Sequence, residues 1–281
     1  MQNSKENTQP VPGGVYLCQV NESVSCGACC GLYNVKVPSF KALQGMLARR
    51  TADFDVLPRT MDAILDFQTQ TEATACSTRP LPDFHHCAFL GLVGKKRSRV
   101  GCLLHPMNPG NNGMDFRGLS FYGGLACNAY FCPSYHQLSA SVKQIVTAVS
   151  TDWYTYGLVI TEAQLLEAFF SHVEARIGRP LVKKDVLGNP EASQGVRDFL
   201  SLKLTWPYRK KDSCALIHYF FKDGLYQRPP VDYPSIAGQE SRYDVIFRQL
   251  HSFFESALQL HQAEALLDRM VEGLAENVLR A

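Results

Sequence analysis

The stretch that decides the fold of this chain is CQVNESVSCGACCGLYNV, residues 18–35, which places Cys18, Cys26, Cys29 and Cys30 within thirteen positions. Clustered cysteines of this kind serve as disulfides, as a redox pair or as metal ligands. The first residues, MQNSKENTQPVPGG, are polar and lack the apolar segment of a secretory signal. We therefore expect a cytoplasmic protein with reduced thiols, which favours metal or redox chemistry over disulfides.

The other cysteines also fall mainly in the first half of the chain, where nine of the ten lie. Cys76 and the isolated Cys214 are interpreted as buried apolar side chains. Four thiolates can hold one zinc ion or one iron–sulfur cluster, so the remaining eight could hold two sites. Because adjacent cysteines are awkward ligands for one tight site, we expect Cys30 to serve a second site or to point outward. The predicted metal ligands are Cys18, Cys26, Cys29, Cys30, Cys87, Cys102, Cys127 and Cys132.

Four segments carry a resemblance to a known family: SCGACCGLYNV, CAFLG, GCLLHP and ACNAYFCP. Together they resemble the YkgJ-type cysteine-cluster family, described as a zinc- or iron-chelating domain, over about residues 18–135. Every predicted ligand except Cys18 matches a family position. Members usually carry a further cysteine where this chain has Ser23, so Cys18 is expected to substitute for it from a longer loop. The resemblance implies a chelating module and no particular reaction.

Two further features bear on what such a module would do. The stretch MNPGNNGMDFRGLSFYGGLA, within residues 103–126, replaces a short link of the family and could cover the metal or form a site of its own. The flagellin lysine-N-methylases carry a similar cysteine cluster, although the similarity is looser. That similarity implies an alternative, a protein-modifying enzyme whose second site is supported by the metal module.

Three histidines lie close to predicted ligands: His85 and His86 precede Cys87, and His105 follows Cys102. Imidazole can replace thiolate in zinc sites and in some iron–sulfur sites. A surface or packing role is the default for each, and His105 is the strongest candidate for a ligand or a supporting donor. The sequence contains no common cofactor-binding or hydrolase signature.

The fold class expected is mainly α. We expect a disordered lead-in at residues 1–17, then an irregular metal-organised module at 18–136, packed with a helical region at 137–281. Ser39 and a serine at the start of SASVKQIV are candidate helix caps. Thr161 and Gln164 have capping-box spacing, and Gly178 is expected to end that helix. The tail from residue 243 predicts two helices with a break near residues 261–264.

We therefore expect a metal-binding protein that holds zinc or an iron–sulfur cluster, with a structural or electron-transfer role. A third alternative is an interaction protein in which the metal holds the fold and the helical half binds a protein partner. The net charge of +2 gives no general attraction to nucleic acid, and no apolar run is long enough for a transmembrane helix.

Overall fold

The computed structural model describes residues 11–36, 38–74, 79, 84–210, 221–222, 225–226 and 228–280. Two short antiparallel hairpins accompany its helices: β1 (Leu90–Val93) pairs with β2 (Arg99–Cys102), and β3 (Phe221–Lys222) pairs with β4 (Leu225–Tyr226). The mainly helical fold class is confirmed. The helices are α1 (Phe40–Asp55), α2 (Met61–Thr74), α3 (Gly123–Ala129), α4 (Ser134–Gln137), α5 (Ala140–Val149), α6 (Trp153–Val159), α7 (Ala163–Ile177), α8 (Lys183–Leu187), α9 (Pro190–Thr205), α10 (Asp244–Gln249) and α11 (Ala257–Arg280).

Local features of the sequence predicted several helix ends correctly. Ser39 caps α1 by accepting a hydrogen bond from the amide of Ala42, and Ser139 caps α5 in the same way. Gly178 follows α7 with a φ of 71°, the left-handed conformation that glycine adopts without strain. Each of these ends depends on residues within one turn of the helix, so the sequence was sufficient to predict it.

The capping box predicted at the start of α7 is wrong. The side chain of Gln164 does not reach back to the helix start, because its oxygen accepts a hydrogen bond from α10. Glu162, and not Thr161, directly precedes the helix. The buried carboxylate of Glu162 forms ion pairs with Lys203, at 2.6 Å, and with Arg228. Tertiary contacts of these side chains have therefore overridden the local capping pattern.

The break predicted near residues 261–264 is also wrong, although the tail does form two helices. α11 runs without interruption through that stretch, because Leu260, Ala263 and Leu267 continue one buried stripe across it. The chain turns earlier, between α10 and α11, where His251 has a positive φ of 59°. The change in direction therefore lies about ten residues before the predicted position.

The described residues bury two apolar cores. The helical core contains apolar side chains of α5, α7, α9, α10 and α11, and the hairpin core contains those of α1, α2, β1 and β2. α6 joins them, since Trp153 and Leu158 pack in the hairpin core while Tyr156 and Val159 pack in the helical core. The cysteine-rich part is thus packed with the helical part, as expected, and its organisation by a metal stays a prediction.

Residues 11–19 form a strap that crosses the helical core. Leu17 is buried there, its amide donates to the hydroxyl of Tyr135 at 2.7 Å, and its carbonyl accepts from Tyr156 at 2.8 Å. Residues 11–17, assigned above to a disordered lead-in, therefore belong to the fold, because one apolar side chain and its backbone groups find partners far along the chain. Residues 1–10 lie outside the described residues.

Candidate metal centre

A tight loop brings the first two cysteines together. The amide of Cys26 donates to the carbonyl of Cys18 at 2.9 Å, and Gln19 forms an antiparallel bridge with Ser25. Ser23 lies in the loop between them. The structure therefore places Cys18 beside Cys26, and the substitution of Cys18 for the family cysteine stays a prediction.

The adjacent pair Cys29–Cys30 lies on a 3-10 turn that ends at Gly31. Gly31 has a φ of 76°, and a Cβ atom there would lie 2.0 Å from the carbonyl oxygen of His85. This close approach allows the amide of Cys87 to donate to the carbonyl of Cys30 at 2.9 Å. Glycine at residue 31 thus lets two segments more than fifty residues apart lie against each other at the cysteine pair.

The remaining cysteines come from three other elements. Cys102 ends β2, opposite Leu90 of β1. Cys127 lies on the exposed helix α3, where its sulfur is 3.2 Å from the hydroxyl of Ser120. Cys132 precedes α4 and accepts, through its carbonyl, a hydrogen bond from the amide of Tyr135. Cys76 and Cys214, interpreted above as buried apolar side chains, lie outside the described residues.

The eight predicted ligands lie near one another, and their electrostatic interactions sort them into two adjoining sets of four, which an interaction between Cys29 and Cys87 also links. The thiols of Cys29 and Cys30 are hydrogen-bonded to each other, and the two groups meet at this pair. In the first group the thiols of Cys18, Cys26 and Cys132 interact with that of Cys29. In the second group the thiols of Cys30, Cys102 and Cys127 interact with that of Cys87. We call them the Cys29 group (Cys18, Cys26, Cys29 and Cys132) and the Cys30 group (Cys30, Cys87, Cys102 and Cys127).

The thiols of both groups are free in the structure, and none forms a disulfide. Among the described residues, no three side chains of histidine, cysteine, aspartate or glutamate lie at the mutual distances needed to hold a metal ion. The two groups are therefore gatherings of neighbouring thiols, and coordination of a metal by them stays a prediction.

Burial sets the protonation of most of these thiols. It raises the pKa of Cys18 to about 12, that of Cys87 to about 11 and that of Cys102 to about 12. Cys29 differs, because the hydrogen bond from the Cys30 thiol stabilises its thiolate and lowers its pKa. Cys29 is also one of two exposed thiols, with Cys127. Since metal ligands must be thiolates, binding a metal here would release protons.

A buried arginine that the sequence analysis missed lies beside the Cys30 group. The side chain of Arg50 is only 7% exposed, and its guanidinium donates to the carbonyl of Cys87 at 3.1 Å. Burial lowers the pKa of Arg50 to about 10, whereas the nearby Cys87 thiolate opposes that shift. Within the described residues no carboxylate forms an ion pair with it. The signal was present in α1, where Arg50 falls on the buried stripe formed by Leu43, Leu47 and Phe54.

The three candidate histidines have different environments. The ring of His85 stacks on Phe121, with 4.2 Å between centroids. His105 accepts, at Nδ1, a hydrogen bond from the amide of Met107. His86 is buried, its Nδ1 lies 2.8 Å from the carbonyl of Gly31, and its Nε2 has no hydrogen-bond partner among the described residues. A ring held by a carbonyl with the other nitrogen free is typical of ligating histidines, so His86 and not His105 has the more suitable geometry.

Comparisons with known proteins add nothing to this geometry: no family model matches the chain, and no curated protein or solved structure matches it either. The resemblance to the YkgJ-type family therefore stays a prediction that depends on the cysteine pattern. Across the described ranges, no helix combines the length and the apolar character needed to cross a membrane.

Proposed function

We propose that this chain is a cytoplasmic metal-binding protein whose clustered cysteines hold zinc or iron–sulfur clusters, in a structural or electron-transfer role. One observation carries the proposal. Eight cysteines spread over residues 18–132 lie near one another, with the Cys29 group and the Cys30 group adjoining at the Cys29–Cys30 pair, so that binding a metal would require only that neighbouring thiols draw closer. Four thiolates are the ligand set of a structural zinc ion and of a single iron–sulfur cluster. Two groups of four support two sites.

The charge of Arg50 supports an anionic centre beside it. A buried charge is stable in a protein only when it is compensated. Four thiolates carry four negative charges, more than the charge of one zinc ion, so the occupied site would have net negative charge. The guanidinium of Arg50, next to Cys87, is suited to offset that charge.

Hydrogen-bond donors near the sulfurs fit the same function. The hydroxyl of Tyr135 lies 3.3 Å from the sulfur of Cys18, and the amide of Ala28 donates to the sulfur of Cys26 at 3.5 Å. Such donors stabilise thiolates, and around a cluster they tune its reduction potential. When bound, zinc would supply a cross-link between the chain segments, and an iron–sulfur cluster would supply one-electron chemistry as well.

The test is metal analysis of protein purified without oxygen, together with its visible absorption spectrum. Iron with sulfide and a brown colour would identify clusters, and a colourless protein with stoichiometric zinc would identify structural sites. Replacing Cys26 by serine should remove the metal of the Cys29 group, whereas Cys214→Ser, outside both groups, should leave the metal content unchanged. A wild-type protein without metal, whose thiols all titrate as free, would refute the proposal.

A further inference from the structure

α3 and its flanking residues form an exposed apolar surface. No residue of α3 is buried, and Leu125 is 84% exposed. Phe121, Tyr122 and Tyr130 on either side of the helix are exposed as well, with Phe121 at 66%. We call these four side chains, with the exposed residues of α3 between them, the α3 surface. The largest exposed apolar patch on a protein, typically about 300–600 Å², is often a functional surface.

The composition of the α3 surface is that of an interface centre. Residues 118–131, GLSFYGGLACNAYF, contain no charged side chain, and the two charged residues at the edge, Asp115 and Arg117, form an ion pair with each other while Asp115 also bonds to Asn128 of α3. Interface centres are depleted in lysine, glutamate and aspartate and enriched in tyrosine and phenylalanine. The surface is also anchored, because the ring of Phe121 stacks on His85 and packs edge-on against Tyr122 at 5.2 Å. Its aromatic side chains are therefore held in place before any partner binds.

We propose that the α3 surface binds a second copy of this chain in a symmetric dimer. In a twofold dimer the same surface faces itself, so any charge would meet a like charge. A surface without charged residues avoids that repulsion, and a net charge of +2 adds little between two whole chains.

The area of the surface suits the same partner. The four large side chains expose on the order of 500 Å². The remaining exposed residues of α3 bring the surface toward the roughly 800 Å² that each partner contributes to a stable interface.

The dimer would change the surroundings of the thiols. Cys127 lies on α3, and the phenol rings of Tyr122 and Tyr130 interact electrostatically with Cys29, the other exposed thiol. A second copy seated on α3 would therefore cover Cys127 and come close to Cys29. The test of this inference needs no metal, since the surface is exposed in the structure while the thiols are free.

The experiment is sedimentation analysis of the full-length chain from about 1 to about 100 µM, with the metal content measured separately. The wild type should approach twice its mass of 31.4 kDa. Leu125→Asp places one charge per copy in the interface and should weaken association by at least about 100-fold. Phe121→Ser should weaken it in the same direction. Because α3 buries no residue and Phe121 before it is 66% exposed, both variants should retain the wild-type circular dichroism.

Leu258→Asp is the matched control, since Leu258 is 66% exposed in the first turn of α11, a helix that packs against α7 and α9, and aspartate is compatible with a helix start. It should dimerise like the wild type. A wild type that stays monomeric at about 100 µM would overturn the proposal, as would a dimer that persists in both Leu125→Asp and Phe121→Ser. A dimer lost in those two variants and kept in Leu258→Asp, with or without metal, would support it.

Discussion

Replacing Gly31 by alanine tests the packing on which the candidate centre depends. A left-handed φ of 76° costs an L-residue about 1–2 kcal/mol. The new Cβ would also lie 2.0 Å from the carbonyl oxygen of His85, so the two segments must separate. Separation loses the hydrogen bonds from Cys87 to Cys30 and between His86 and Gly31, at about 1 kcal/mol each. We expect Gly31→Ala to lower the free energy of unfolding by about 3–4 kcal/mol.

Gly178→Ala is the matched control, because Gly178 has a similar φ of 71° but nothing within 4 Å of the added Cβ. It should cost only the conformational strain, about 1–2 kcal/mol. The measurement is denaturant unfolding of both variants without metal, followed by metal analysis of both as purified. We expect Gly31→Ala alone to lose metal, since it moves Cys87 away from Cys30. Equal losses of stability in the two variants would show that the contact with His85 does not hold the segments together.

Three other substitutions probe single interactions. Arg50→Met should leave the stability of the metal-free chain little changed but weaken metal binding about 10-fold or more, as measured by chelator competition. Arg49→Met, at an exposed position on the same helix, should not weaken metal binding. Tyr135→Phe removes the acceptor of two strap amides and should lower the free energy of unfolding by about 1–3 kcal/mol; an unchanged unfolding midpoint would contradict this role. Glu162→Gln leaves two buried cations without their carboxylate and should lower the free energy of unfolding by about 3–5 kcal/mol in denaturant. The exposed Glu191→Gln should lower it by about 0.5 kcal/mol or less.

The ion pairs of Glu162 also predict how the stability of the protein depends on pH. Burial alone would raise the pKa of Glu162, but the two buried cations outweigh it and hold the pKa below its usual value. A carboxyl with a lowered pKa in the folded state contributes stability above its unfolded pKa of about 4.3, and that contribution is lost as the pH falls. Wild-type stability should therefore fall more steeply below about pH 4 than that of Glu162→Gln. Parallel profiles would show that the ion pairs do not stabilise the charged carboxylate.

The sequence alone was sufficient where the cause is local. Serine oxygens at residues 39 and 139 and a glycine at residue 178 fix helix ends within one turn, so these ends were predicted correctly. The periodic apolar residues were enough to predict a mainly helical chain. The number and spacing of the cysteines predict metal or redox chemistry, and this stays a prediction.

Tertiary structure decided whatever depends on residues distant in the chain. The capping box at Thr161 is absent because the side-chain oxygen of Gln164 accepts a hydrogen bond from Gln249, eighty-five residues away. The strap at residues 11–19 is held by hydrogen bonds to Tyr135, and Cys30 meets Cys87 only because Gly31 lets the two segments approach. Such contacts leave no local pattern, since the free energy that stabilises them comes from burial between segments that the sequence does not juxtapose. The sequence therefore determined which side chains were available, and only packing determined which of them meet.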